Sequence, residues 1–165
     1  MVRSIRVPAL VLAGLLVAGL AGCQVDKNSS SSTNTTMGGK SLYERLGGEP
    51  AIRAVVDDFV AYAAPDPAVN FTRKGHPNEW QPTDANVAKL KRHLVQFISK
   101  ATGGPQTYEG RDMVTVHTGM QITNEEFNAI AGDLKKALDK NNVPSNLQNE
   151  LIAVVETTRA QIVNK

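Results

Sequence analysis

"DMVTVHTGMQIT", residues 112–123, contains His117, one of three histidines in the 165-residue chain. The spacing predicts a short helix from Asp112 to His117. Met113 lies four residues before His117 and Val114 three before it, so all three share one face. The Thr118-Gly119 pair then breaks the helix. Thr123 and Glu126 make the pattern of a capping box, which opens the next helix. A lone imidazole on an apolar face has two readings on residue physics alone. It is a satisfied core histidine, or it is an axial ligand to a metal centre with apolar walls.

Working outward, the rest of the domain reads as all-α. Ile52, Val55, Val56, Phe59, Val60 and Ala63 recur at helical spacing, with Arg53, Asp57 and Asp58 on the other face. Pro50 suits the first helical position, and "PDP" at 65–67 ends the helix. Gly47-Gly48 separates it from a short "SLYERL" element. A second helix is expected over 84–101, capped by Asp84. Its buried stripe is Val87, Leu90, Leu94, Phe97, Ile98 and Ala101, and His93 projects from the stripe's edge. The helix after Thr123 shows Phe127, Ile130, Ala131, Leu134 and Leu138. The last, from near Pro144, shows Leu147, Leu151, Val154, Val155, Thr158 and Ile162. No segment alternates at period two for long enough to make a sheet. Residues 68–83 are turn-rich and irregular. They carry the single Trp, Trp80, and His76, which is expected to be an exposed loop imidazole.

Most catalytic chemistries lack their motifs here. One cysteine cannot build a thiol or zinc cluster, and HExxH, P-loop, GxGxxG and GxSxG patterns are all missing. Histidines at 76, 93 and 117 do not have the close spacing of a zinc site.

Four stretches carry a resemblance that covers nearly the whole domain: "SLYERLGGEPAIRAVVDDF", "LKRHLVQFISKATGGPQTYEGRDM", "VHTGMQITNEEFNAIAGDL" and "NNVPSNLQNEL". Together they resemble the group I truncated haemoglobins. The two Gly-Gly breaks and the histidine between "V" and "TGMQIT" are the most specific parts. The resemblance implies a two-over-two helical sandwich clasping haem b, with His117 as the proximal iron ligand. The other ring nitrogen of His117 is then expected to donate to a backbone carbonyl. Haem contacts fall on Phe59, Phe97, Tyr108, Met113 and Val116, with Phe127 on the same wall. Val60, Leu90, Leu94 and Ile98 complete the cofactor-binding set. Lys91, Arg92 and Arg111 are either partners for the haem propionates or a solvated face.

The distal side departs from the family pattern. Family members usually place a tyrosine after the phenylalanine matching Phe59, and here it is Val60. A glutamine is common at the position matching Leu94, and Leu90 is apolar too. The hydroxyl and amide that hydrogen-bond dioxygen are therefore replaced by hydrocarbon. Such a bond is worth about 1.5–3 kcal/mol, or about ten- to hundredfold in affinity. Tyr62 lies two positions past Val60 and should point away from the haem. His93 matches a histidine that ligates iron in some cyanobacterial members; elsewhere in the family basic side chains here lie over the haem edge. Both roles stay open. The function implied is reversible binding of dioxygen, NO or CO. An alternative is a haem enzyme for NO dioxygenation or peroxide detoxification, supplied by an unidentified reductase. A third is a haem-free helical lipoprotein.

Residues 1–22 have Arg3 and Arg6 before an apolar run, which is the pattern of a secretory signal. They end in "LAG" before Cys23, and "LAGC" resembles the lipobox of bacterial lipoproteins. The expectation is export and lipidation of Cys23, anchoring the protein to a membrane. Gln24, where an Asp would favour inner-membrane retention, points to the outer membrane. Residues 23–40 then comprise the lipidated cysteine and a flexible Ser/Thr-rich linker, and 41–165 the globin domain. Lys and Arg number 18 against 16 Asp and Glu. Removing Arg3 and Arg6 leaves a neutral balance, so nothing electrostatic favours a nucleic-acid partner.

Overall fold

The computed structural model describes residues 39–165; the signal-like segment 1–22, Cys23 and all but the end of the linker lie outside them. Seven helices are found among the described residues. They are α1 (Leu42–Arg45), α2 (Gly48–Ala63), α3 (Asp84–Ala101), α4 (Met113–His117), α5 (Asn124–Lys140), α6 (Ser145–Glu156) and α7 (Arg159–Ile162).

The core is organised by α2. All six of its apolar-stripe residues are buried, and Val56 and Ala63 are fully enclosed. The stripe packs against α3 on one side and α5 on the other, where Leu134, Ala137 and Leu138 meet it. Burying each Val, Ile or Leu contributes about 1.5–3 kcal/mol relative to exposure. In turn, α5 packs on α6, and Leu151 joins the same core. Two helix pairs laid across each other give the two-over-two sandwich.

Short contacts close the sandwich at one end. Ser41 and Glu44 form a capping box on α1. Arg45 meets the Glu150 carboxylate of α6 through both terminal nitrogens. Tyr43 N–H donates to the Thr102 carbonyl at 2.9 Å, which ties α1 to the end of α3. Gly104 allows this approach: a Cβ there would lie 2.5 Å from the Tyr43 ring.

Four local expectations need correction. First, α2 starts at Gly48, so Pro50 is its third residue rather than its first. The missing N–H costs nothing there either, because every first-turn donor lacks an intrahelical acceptor. Second, Thr83 caps α3, accepting from Asn86 N–H at 3.3 Å. Asp84 is instead the first helical residue, where its charge opposes the helix dipole favourably. Third, the last helix breaks at Thr157 and Thr158. Both hydroxyls donate back to carbonyls three residues earlier, Val154 and Val155, each at 2.7 Å. That local bonding competes with the helical ladder. Fourth, the deeply buried line of α3 is Val95, Ile98 and Ser99. Val87, Leu90, Leu94 and Phe97 are only half-buried, and Ala101 is exposed.

Asp58 holds α2 to the far end of α5. It accepts from Lys140 Nζ at 2.7 Å and from Asn141 Nδ2 at 2.8 Å. The Lys140 bond, and then the Asn141 bond, hold its carboxyl below the usual carboxylate range. A lowered folded pKa means stability that is complete above the unfolded value, about 3.9, and lost as pH falls through the folded one. Urea midpoints should therefore drop as pH falls below about 4, and Asp58→Asn should flatten part of that drop. An unchanged slope in the variant would remove Asp58 from the acid response.

No helix among the described residues is long and apolar enough to cross a membrane.

Candidate functional site

Helix α4 has only five residues and could not persist alone. Asp112 caps it, accepting from Thr115 N–H at 2.9 Å. From behind it is packed on α7. The chain following it is pinned to the C-terminal tail. Gln121 N–H donates to the Lys165 carbonyl at 3.0 Å, and Asn164 N–H to the Ile122 carbonyl at 2.9 Å.

His117 is the last residue of this helix and half-buried. Its Nδ1 lies 2.8 Å from the Met113 carbonyl oxygen. A carbonyl can only accept, so Nδ1 carries the proton. In a neutral imidazole the lone pair then sits on Nε2. Burial holds the imidazole below its ordinary pKa, against a smaller upward pull from the Met113 bond, so the neutral form is the favoured one. The result is an oriented donor nitrogen with its tautomer fixed.

Helices α4 and α3 each carry apolar groups that the protein only half covers. Met113 and Val116 are half-buried, and Val114 is 43% exposed. On α3, Leu90, His93, Leu94 and Phe97 are half-buried too. Tyr108 joins this group edge-on, its ring centroid 6.1 Å from His93 and 5.9 Å from Phe97. Its hydroxyl donates to the Arg111 carbonyl at 2.9 Å, and burial pushes its pKa up. Phe59, Val60 and Ile98 lie deeper, in the same core cluster against which Leu94 and Phe97 pack. Phe127 is 2% exposed and sits under the Arg159 guanidinium, 4.2 Å from its ring centroid.

Tyr62 is exposed, beside Lys140. Lys91 is engaged with Asp57 at 2.9 Å. Arg92 and Arg111 are exposed and make no ion pair among the described residues. No cluster of three or more His, Cys, Asp or Glu that could hold a bare metal ion occurs among the described residues. His76 is not the exposed loop imidazole expected: it is half-buried, with Nε2 3.2 Å from Arg73 Nη2.

Arg73 itself escaped the sequence reading. It is 4% exposed and pairs with Glu126 at 2.6 Å. The capping-box role of Glu126 was visible locally, but its second partner lies 53 residues away. No local pattern announces such a pair.

A flat apolar macrocycle with a central iron asks for one neutral nitrogen donor and hydrocarbon walls. His117 Nε2 and the half-covered residues of α3, α4 and the Tyr108 loop meet both demands. Comparison with known proteins agrees. Residues 41–164 match the family of bacterial-like globins. The chain is 32% identical over 122 residues to the group 1 truncated haemoglobin of Mycolicibacterium paratuberculosis, covering 74% of this chain and 83% of that one. With the group 1 truncated haemoglobin of Tetrahymena pyriformis the identity is 30%, covering 76% and 97%. The crystal structure of the Tetrahymena pyriformis protein in its Fe(III) form superposes with a TM-score of 0.67 at 31% identity, covering 76% of this chain and all of that one. The group II truncated haemoglobin of Bacillus anthracis, at 22% identity and a TM-score of 0.64, shares the fold.

The chain belongs to the bacterial-like globin family, among the group 1 truncated haemoglobins. Its cofactor is haem, and binding of diatomic gases is the activity of that family.

Proposed function

We propose that this protein binds haem b through His117 and reversibly binds dioxygen, NO or CO on the opposite, apolar side, at the bacterial cell envelope. One observation carries the ligand assignment: the Nδ1 bond to Met113, which leaves Nε2 as the unprotonated nitrogen. The group supplies an iron centre that takes up a diatomic ligand. The protein supplies orientation and exclusion of water. Val60, Leu90 and Leu94 offer that ligand no hydrogen bond, which favours the less polar CO and NO over dioxygen. The envelope assignment is supported by "LAGC" and the polar tether after it, with Cys23 lipidated.

The enzymatic alternative needs an acid–base group on the distal side, and His93 is the one candidate. Its ring rests edge-on against Tyr108, which favours a place at the wall rather than on the iron. Absorption spectra of the ferric and ferrous protein, beside His93→Ala, test both points. We expect a Soret band in each and the same five-coordinate or water-ligated signature. A six-coordinate low-spin spectrum that disappears in His93→Ala would make His93 a resting ligand. NO consumption sustained by a reductant would establish turnover.

A further inference from the structure

We infer that the loop Phe71–Trp80 is a brace for the proximal histidine, with Arg73 and Asn78 as its positioning residues. The inference rests on His117 being the axial ligand.

The loop is closed on itself. Trp80 N–H donates to the Thr72 carbonyl at 2.8 Å, and the Phe71 and Trp80 rings meet edge to face at 5.7 Å. From this closed unit two side chains reach the segment after His117. Asn78 Nδ2 donates to the Thr118 carbonyl at 3.3 Å. Arg73 pairs with Glu126 at 2.6 Å and its Nη2 lies 3.5 Å from the Gln121 carbonyl. One loop thus grips residues 118, 121 and 126.

Each grip has a feature that makes little sense in a passive connection. A guanidinium in a loop is normally solvated, yet Arg73 is 4% exposed and its Nε has no partner. Burying a charge that way is unfavourable unless a partner compensates. Glu126 is that partner while keeping its capping role, its other oxygen accepting from Thr123 N–H at 2.9 Å. Arg73 also holds a left-handed backbone, with φ of 54°. At the other grip, Gly119 has φ of 80°, and a Cβ there would lie 2.4 Å from Asn78 Nδ2. A side chain at this φ would be strained and would have to push the Asn78 amide aside.

The consequence reaches the imidazole. Thr118 N–H bonds back to the Val114 carbonyl at 2.9 Å, and Met120 N–H to the His117 carbonyl at 3.0 Å. The His117 ring is fixed one turn back, on Met113. Gripping 118–126 from the loop, with the C-terminal tail holding Gln121 and Ile122, fixes where Nε2 sits. Releasing the loop leaves the ring bonded to Met113 on a helix that keeps its packing on α7 and the tie to the C-terminal tail but loses the restraints at 118, 121 and 126.

The test uses the full chain loaded with haem, as Asn78→Ala, Arg73→Met and Arg73→Lys. Asn78 is exposed, so its variant keeps the test valid even if Arg73→Met folds poorly. Two readouts are taken: the iron–histidine stretching band of the ferrous protein by resonance Raman, and hydrogen exchange of the amides of residues 116–120. We expect Asn78→Ala and Arg73→Met to shift the band and to speed exchange about fivefold or more, the size set by losing one net hydrogen bond. Arg73→Lys should recover part of both. A purely structural loop would lower stability without moving the band. If the wild type shows no iron–histidine band, the ligand assignment fails and the inference with it. If the wild type shows the band and neither Asn78→Ala nor Arg73→Met moves it, the brace alone is overturned.

Discussion

His117→Ala should abolish the Soret band of the purified full chain while leaving its far-ultraviolet circular dichroism unchanged. The two halves of that expectation have separate causes. On the proposed ligation, the iron would lose the nitrogen that α4 offers it. Removing even an outer-shell partner of a metal ligand weakens binding about ten- to hundredfold, so losing the ligand itself should cost at least about a hundredfold. The fold, by contrast, loses little. His117 is half-buried at the end of a five-residue helix, and it is not part of the core cluster built on α2, α3 and α5. The caps at Asp112 and Thr123 stay in place. The one bond removed is that to Met113. A hundredfold loss of affinity should also lower the apparent stability of haem-saturated protein by about 2.7 kcal/mol, and the deficit should vanish when haem is left out. His117→Gly with imidazole in the buffer should recover the band, because the side chain's space and the iron-facing direction remain. A wild-type spectrum from His117→Ala would end the assignment of this residue.

What the sequence made legible was what depends on neighbours within a turn or two. The α2 stripe was readable because six apolar residues repeat at helical spacing, and all six are buried. The Thr123–Glu126 capping box was readable because its two bonds span three residues. Beyond that range, local pattern loses its hold. Periodicity showed that α3 has an apolar face wide enough to include Leu90, Leu94 and Phe97. It could not show that Val95, Ile98 and Ser99 would take the deepest places and leave those three half-covered. The difference matters, since incompletely covered hydrocarbon is what a flat apolar cofactor needs. The break at Thr157 and Thr158 was hidden because both residues sit acceptably on a helical wheel; their hydroxyls end the ladder through backbone bonding. Arg73 was invisible because its environment is assembled from two distant pieces of chain. At His117 the residues alone favoured core packing over iron ligation, and the family resemblance turned the reading toward iron.

Leu94→Gln should slow dioxygen dissociation about ten- to hundredfold and change CO binding far less. Dioxygen polarises on binding and CO does not, so a new amide donor acts selectively on the first. A hydrogen bond to a charged acceptor is worth about 1.5–3 kcal/mol, which sets the range. Position 94 suits the experiment better than position 60. Val60 is 5% exposed inside the core cluster, where a tyrosine would overpack its surroundings at a cost of about 1–3 kcal/mol. Leu94 is half-buried and close to glutamine in length, so its neighbours need not move. Stopped-flow displacement of dioxygen by CO, wild type beside Leu94→Gln, gives the rates directly. If both ligands slow equally, the variant has narrowed the exit rather than supplied a bond. If neither slows, the face of α3 bearing Leu94 does not look onto the bound gas, and the apolar distal side proposed for this protein has to be rebuilt from other residues.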